Sequence, residues 1–383
     1  MREILPGHLT RGLGPWIKTV ARPALREVEV AAARGLGIRD VELLSSYNWV
    51  APDHPATIMV PGGPRVLRSG LKPPVPLAKT VLHREVYPTN TRLPLAAPTQ
   101  PMFQAVRVLR PECRFNSVDV VTSRNVVELL LKFCGNDSHQ FRLNATVVQD
   151  SLVLDHCPKS IGSNHVGLHF EEAMSAFPAG LEHSDSHWRI LRYSMGQLTW
   201  VVHYEADATA EPYGRCDDQA PVVIPAPNYE SANVVVQGHL TPQHETVEMK
   251  SKGSNHMWSP LQLTSKTYTA CTGYLLLGDL YQDTVQRATM KPLEADHAWY
   301  PTSRAMTGKS LDALPRFVKM LKRAVRRAPS GQAGLVFRPY PWVRVDVYDL
   351  DPQGGYGPLV SQEMKETFWV KRPNKAAGGA ASR

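Results

Sequence analysis

The segment His187–Asp207 constrains this chain more than any other. Trp188-Arg189-Ile190-Leu191-Arg192-Tyr193 leads into Met195-Gly196-Gln197, and Leu198–Asp207 returns. A glycine-centred turn between two apolar runs is the pattern of an antiparallel hairpin. Successive strand side chains point to opposite sides, so Leu198, Trp200, Val202 and Tyr204 share one face of the second arm. An apolar face of that size has to be covered by another layer of structure.

The remaining periodicities indicate what that layer is. Asn125–Phe133, Val166–Phe177 and Leu311–Arg327 have helical spacing, as does Arg22–Arg34, which ends before Gly35. Strands are expected at Thr57–Val60, Val118–Val121, Val234–Gln237, Glu245–Ser251, Leu275–Leu280 and Val343–Asp349. Phe141–Leu154 divides near Gln149-Asp150 into a second hairpin, and Ala210–Asn228, rich in Gly, Pro and Asp, is expected to be a loop. Strands and helices mixed in this order predict an α+β fold with an α/β core, in which helices flank a central mixed β-sheet. We expect residues 1–40 to be a helical extension, 41–365 one catalytic domain, and 371–383 a disordered tail of small residues.

Composition narrows the function classes. The net charge of +8 suits a polyanionic partner, because lysine and arginine release counterions from phosphates. Five scattered cysteines form no CxxC pair and no zinc spacing, which argues for a reducing compartment, nuclear or cytoplasmic. No run approaches the roughly 18 apolar residues of a membrane span, and no membrane partner is expected. The 14 histidines include no HExxH pattern. Arg316, Lys319, Lys322, Arg323, Arg326 and Arg327 lie on one side of the last long helical segment, with Leu314, Phe317, Val318, Leu321 and Val325 on the other. Such a basic stripe is most simply a solvated helix face, with RNA or a partner as the alternative.

Two short patterns carry chemistry. Glu205-Ala206-Asp207 closes an apolar strand, and Glu248-Met249-Lys250 lies in another. Alternation places Glu205 with Asp207, and Glu248 with Lys250, on shared faces. Carboxylates on neighbouring strands with a lysine beside them suit a hard cation such as Mg²⁺, which takes oxygen ligands. The lysine is suited to hold an attacking water or to stabilise charge on a phosphoryl oxygen.

In this order, with Glu171 in Gly167-Leu168-His169-Phe170-Glu171 and Arg124 in Val121-Thr122-Ser123-Arg124, these patterns resemble the Rai1/Dom3Z-like decapping nucleases of the PD-(D/E)xK superfamily. The resemblance runs from about Ser45 to Leu280 and is nearest to divergent fungal members. It implies a metal-dependent hydrolase of RNA 5′ ends, a decapping or pyrophosphohydrolase activity with 5′→3′ exoribonuclease activity as an extension. It implies one or two Mg²⁺ or Mn²⁺ ions held by Glu171, Glu205, Asp207, Glu248 and the Met249 carbonyl. Glu205, Asp207, Glu248 and Lys250 would be catalytic, and Arg124 would grip a 5′ phosphate. The family's glutamine after the lysine pattern has Lys266 as its counterpart, with Gln262 nearby as a second substrate-binding candidate. The family's tryptophan before the arginine is Ser123 here. Two other readings stand beside this one: a catalytically weak scaffold that partners a 5′→3′ exoribonuclease, and a DNA nuclease of the wider superfamily. Prenyl diphosphate synthase chemistry is excluded, because the only adjacent Asp pair, Asp217-Asp218, has no second copy.

Overall fold

The computed structural model describes residues 7–26, 36–51, 56–78, 99–135, 139–157, 166–211, 221–228, 231–253, 260–293, 301–339, 341, 343–351, 354 and 357–370. Its helices are α1 (Gly7–Thr10), α2 (Gln100–Leu109), α3 (Arg124–Cys134), α4 (Val166–Met174), α5 (Pro260–Ala270), α6 (Pro301–Val325) and α7 (Gln362–Phe368). The first strands are β1 (Leu13–Ala21), β2 (Arg39–Val50), β3 (Thr57–Gly62), β4 (Val66–Leu67), β5 (Val75–Pro76), β6 (Val120–Ser123), β7 (Phe141–Val148), β8 (Ser151–His156) and β9 (Ser175–Ala176). They continue with β10 (Ser184–Met195), β11 (Leu198–Ala206), β12 (Ala208–Thr209), β13 (Val222–Ile224), β14 (Asn233–Gly238) and β15 (Thr246–Gly253). The last are β16 (Tyr274–Tyr281), β17 (Thr284–Pro292), β18 (Gln332–Arg338) and β19 (Arg344–Leu350).

The expected α+β class holds, but the strands form two mixed sheets rather than one. Among the described residues the larger has 12 strands in the order β1-β19-β18-β7-β8-β6-β11-β10-β2-β3-β14-β13, and the smaller has seven, β5-β17-β16-β15-β12-β4-β9. Strand alternation gives the large sheet two apolar faces. Trp200 and Val202 of β11 pack with Leu130 and Phe133 of α3 and Phe317 and Leu321 of α6. Val201 and Ile190 face the other way, towards Phe103 of α2 and Phe368 of α7. The small sheet has its own core of Phe170, Met249, Leu276 and Val285. Each such fully buried side chain contributes roughly 1.5–3 kcal/mol, so the layering follows from the distribution of these residues along the chain.

The central hairpin forms as its sequence predicts. Met195 pairs with Leu198 across a two-residue turn in which Gly196 and Gln197 both have positive φ, 59° and 63°. That conformation matches the twist of the flanking strands. A Cβ at Gly196 would sit 3.0 Å from the Leu311 carbonyl oxygen, so glycine also lets the turn dock on α6. The Phe141–Leu154 hairpin likewise turns at Gln149, whose φ is 51°.

Four expectations are corrected. Residues 1–40 are not a separate helical extension: Leu13–Ala21 is a strand paired antiparallel with β19, a long-range pairing that local helix propensity does not encode. Residues 22–26 of the expected Arg22–Arg34 helix are not helical, and 27–34 lie outside the described residues. The helix at Val166 ends at Met174 and gives way to β9. The Ala210–Asn228 loop contains β13, added to the large sheet through β14. The expected tail, 371–383, lies outside the described residues. Among the described residues no helix is long and apolar enough to cross a membrane.

Candidate active site at the seam between the sheets

The chain changes sheets at one residue. Ala206 ends β11 in the large sheet, and Ala208 begins β12 in the small one, where it pairs with Val247. Asp207 stands between them. Glu248 follows Val247 on β15, so pairing in the small sheet brings it beside Asp207. The backbone N–H of Met249 donates to Asp207 Oδ2 at 2.7 Å. Because strand alternation holds along β15, Lys250 projects to the same side as Glu248. Its Nζ lies 2.7 Å from Glu248 Oε1 and 3.5 Å from Asp207 Oδ2, and it donates to the Met249 carbonyl at 2.7 Å.

The large sheet supplies the second cation. β6 runs parallel to β11, with Ser123 opposite His203, and Arg124 is the first residue of the helix that follows. Its Nη1 donates to Glu248 Oε2 at 2.6 Å, and its guanidinium lies 5.2 Å from the centre of the Tyr204 ring. Arg124 Nε is 3.8 Å from Glu128 Oε1, one helical turn on. Glu128 and Tyr204 are members of the site that the sequence reading did not single out. The i,i+4 spacing of Arg124 and Glu128 was the available signal for the first.

Electrostatics separates the two acids. Burial pushes the Asp207 carboxyl up, the Glu248 charge adds to this, and Lys250 and Arg124 only partly offset it. Burial also acts on Glu248, but Arg124, Lys250 and Lys266 outweigh it and hold this carboxyl far below the usual range. Burial works against the charged forms of Lys250 and Arg124. Glu248 and Asp207 overcome it and raise both, so both are cationic at neutral pH. Lys266 of α5 is shifted down, first by the Lys250 charge and then by burial. Burial raises the carboxyl of Glu128 against the pull of Arg124.

Asp207, Glu248, Lys250 and Arg124 are therefore brought together, with Lys266 close enough to act on them. Glu171 lies within α4, where its carbonyl accepts from Ser175 Oγ at 2.7 Å. Glu205 lies opposite Trp188, and its charge adds to the burial that raises the Tyr47 hydroxyl. The strand ends at Ala206, one residue before Asp207. Among the described residues no three His, Cys, Asp or Glu side chains are arranged to hold a metal ion, so neither Glu171 nor Glu205 completes such a set with Asp207 and Glu248. The Gln262 side chain lies outside the described residues. What converges is two carboxylates and the Met249 carbonyl. These are all oxygen donors, and Mg²⁺ commonly needs no more than one or two carboxylates from the protein, with water and substrate phosphates completing its shell. The donor set fits a hard divalent ion.

A family model described as a domain of unknown function (DUF8563) matches residues 17–369. No curated protein matches the chain in sequence. Among solved structures, Schizosaccharomyces pombe Rai1 in complex with 3′-FADP superimposes with a TM-score of 0.53 at 10% identity, covering 85% of this chain and 99% of that one. Scheffersomyces stipitis Rai1 in complex with (3′-NADP)⁺ and calcium gives 0.54 at 9% identity, covering 90% and 97%. Candida albicans Rai1 in complex with pU5 and Mn²⁺ gives 0.50 at 10% identity, covering 96% and 98%. The chain has the Rai1/Dxo1-like fold over most of its length.

Proposed function

We propose that this chain, which belongs to the family described as a domain of unknown function (DUF8563), is a divalent-metal-dependent hydrolase acting on RNA 5′ ends. The observation that carries the reading is the seam, where Asp207 and Glu248 share Lys250 while Arg124 closes on Glu248. The fold adds support, since similar structures hold an RNA with Mn²⁺, or calcium with a dinucleotide.

Each residue then has a task. Asp207, Glu248 and the Met249 carbonyl would hold the ion. When bound, such an ion acidifies water and neutralises charge on a phosphoryl group. Lys250 remains an ammonium, so it is a hydrogen-bond donor that positions water or steadies a phosphoryl oxygen, and not a general base. Arg124, set against the Tyr204 ring and Glu128, offers a planar fork to a 5′ phosphate. Lys266, with its depressed pKa, is the cation of the site that gives up its proton most readily.

The test uses purified protein with Mn²⁺ or Mg²⁺ and RNAs bearing capped, triphosphate, monophosphate and hydroxyl 5′ ends. Wild-type protein should release product from at least one end, and Glu248→Gln and Asp207→Asn should each lower turnover by about 10³ or more. Wild-type turnover in either variant sinks the reading. A second reading, a weak or inactive scaffold for a 5′→3′ exoribonuclease, is favoured by one observation: Arg124 and Lys250 already neutralise Glu248. Inactivity towards every end, together with tight binding to such an exonuclease, would select it.

A further inference from the structure

At the far end of β6 from the seam lies a second basic site. Asp119 immediately precedes β6 and Arg124 immediately follows it, which separates the two places by roughly 16 Å at the rise of an extended strand. There, a cleft of about 320 Å³ opens between the end of α6, the turn before β6 and the turn joining β7 to β8. This is the lower end of the size range of ligand clefts, roughly 300–1,000 Å³. Lys319, Lys322, Arg323 and Arg326 line it, against the two carboxylates Asp119 and Asp150.

The acids are already engaged. Asp119 Oδ1 lies 3.4 Å from Lys322 Nζ, and its Oδ2 accepts from the Thr199 N–H at 3.0 Å. Asp150 Oδ1 accepts from Arg326 Nη2 at 2.6 Å. Lys319 and Arg323 are exposed and have no ion-pair partner among the described residues. The spacing 319, 322, 323, 326 keeps all four cations on one helical face, while Phe317, Val318, Leu321 and Val325 bury the other. This face walls one side of an open cleft and presents two surplus cations to it, one of them a guanidinium.

We propose that this cleft is a second phosphate-binding site, for which Lys319 and Arg323 supply the charge and Lys322 and Arg326 the frame. The phosphate group can belong to the backbone of an RNA or to a small phosphorylated molecule. The site is independent of the chemistry at the seam.

The experiment uses the full chain without metal, so that seam hydrolysis plays no part. Two probes are titrated: a 5′-hydroxyl decauridylate labelled at its 3′ end, followed by anisotropy, and inorganic phosphate, followed by calorimetry. The variant is the double substitution Lys319→Gln and Arg323→Gln, which keeps most of the side-chain volume on an exposed face; its thermal melt checks folding. The expected result is an RNA affinity at least fivefold lower, with the slope of log affinity against log salt shallower by about 1.4, the share of two phosphate contacts on a single strand. Loss confined to the RNA probe assigns the site to a nucleic-acid backbone. Loss confined to phosphate assigns it to a small phosphorylated ligand. Both affinities within twofold of wild type, or a wild-type protein that binds neither probe, overturn the proposal.

Discussion

Among the described residues, the sheet edge and the seam each pair acids with two cations, and the two clusters behave differently. At the sheet edge, Asp346 of β19 accepts from Thr19 Oγ1 of β1 at 2.9 Å and from Arg344 Nε at 3.1 Å, and Arg338 Nε of β18 closes the set. One carboxylate there has three donors from three neighbouring strands, and the result is a clamp. At the seam, two carboxylates compete for one lysine, and their acidities move in opposite directions: burial and the Glu248 charge push Asp207 up, while Arg124, Lys250 and Lys266 hold Glu248 down. A cluster that gathers several donors on one carboxylate fixes structure. One that leaves its acids in mutual conflict holds a capacity for binding that the fold does not use itself.

The largest expected effect separates the clusters by function. Lys250→Ala should lower turnover on the preferred RNA end by about 10³, roughly 4 kcal/mol of barrier, with the folded state retained. Arg344→Ala should leave turnover within about twofold. Equal losses from the two changes would erase the distinction.

Stability should separate them the other way. Asp346→Asn leaves two arginines facing a neutral amide and should cost on the order of 3 kcal/mol in denaturant unfolding, as breaking a buried pair does. Asp207→Asn keeps an acceptor for the Met249 N–H and removes a charge that burial already disfavours, so metal-free stability should hold or rise. A larger loss for Asp207→Asn than for Asp346→Asn would reverse the assignment.

The strand that leads into the seam adds a pH signature. Burial drives His203, stacked on Trp188 at 5.6 Å, down to about 4 from an ordinary 6.5. The unfolded chain therefore takes up the proton first. The contribution is complete above pH 6.5 and is lost as pH falls towards 4, by roughly 3 kcal/mol in total. Asp155, pushed up to about 6 by burial, works with the opposite sign, stabilising the fold as pH falls. His203→Gln should therefore flatten the acid limb of wild-type stability, measured by urea unfolding between pH 7 and pH 4.5. An unchanged limb would show that His203 titrates normally in the fold.

The smallest effect concerns the ion. Mn²⁺ at a hundred times its dissociation constant should stabilise the wild type by about 2.7 kcal/mol. Glu248→Gln should abolish the shift in melting temperature, and Asp346→Asn should preserve it. A shift that survives Glu248→Gln would move the metal away from the seam.

What could be read from the sequence followed from how locally each feature is encoded. The β10–β11 hairpin declares itself through alternation and a glycine turn, and α3 through Val126, Leu130 and Phe133 on one face. Glu248 and Lys250 were legible because an uninterrupted strand fixes their common side. Leu13–Ala21 was not legible, because Pro15 and a pattern with a single buried residue hide an edge strand whose partner is more than 300 residues away. The change of sheets at Asp207 was equally hidden. Ala206-Asp207-Ala208 carries no glycine or proline to announce that the chain leaves one sheet for another.

The one-residue step at Asp207 also sets a rule for how this chain can vary. β11 is locked on both sides, to β6 and to β10, and Ala208 and Thr209 are locked to Val247 and Thr246. No slack remains between the two registers. Adding or removing a single residue between Tyr204 and Thr209 would force one sheet to slip, and a slip of one position turns every side chain of that strand to the opposite face. Relatives of this chain can therefore be expected to lengthen and shorten freely in the stretch after Thr209, while the count of residues across the step stays the same in all of them.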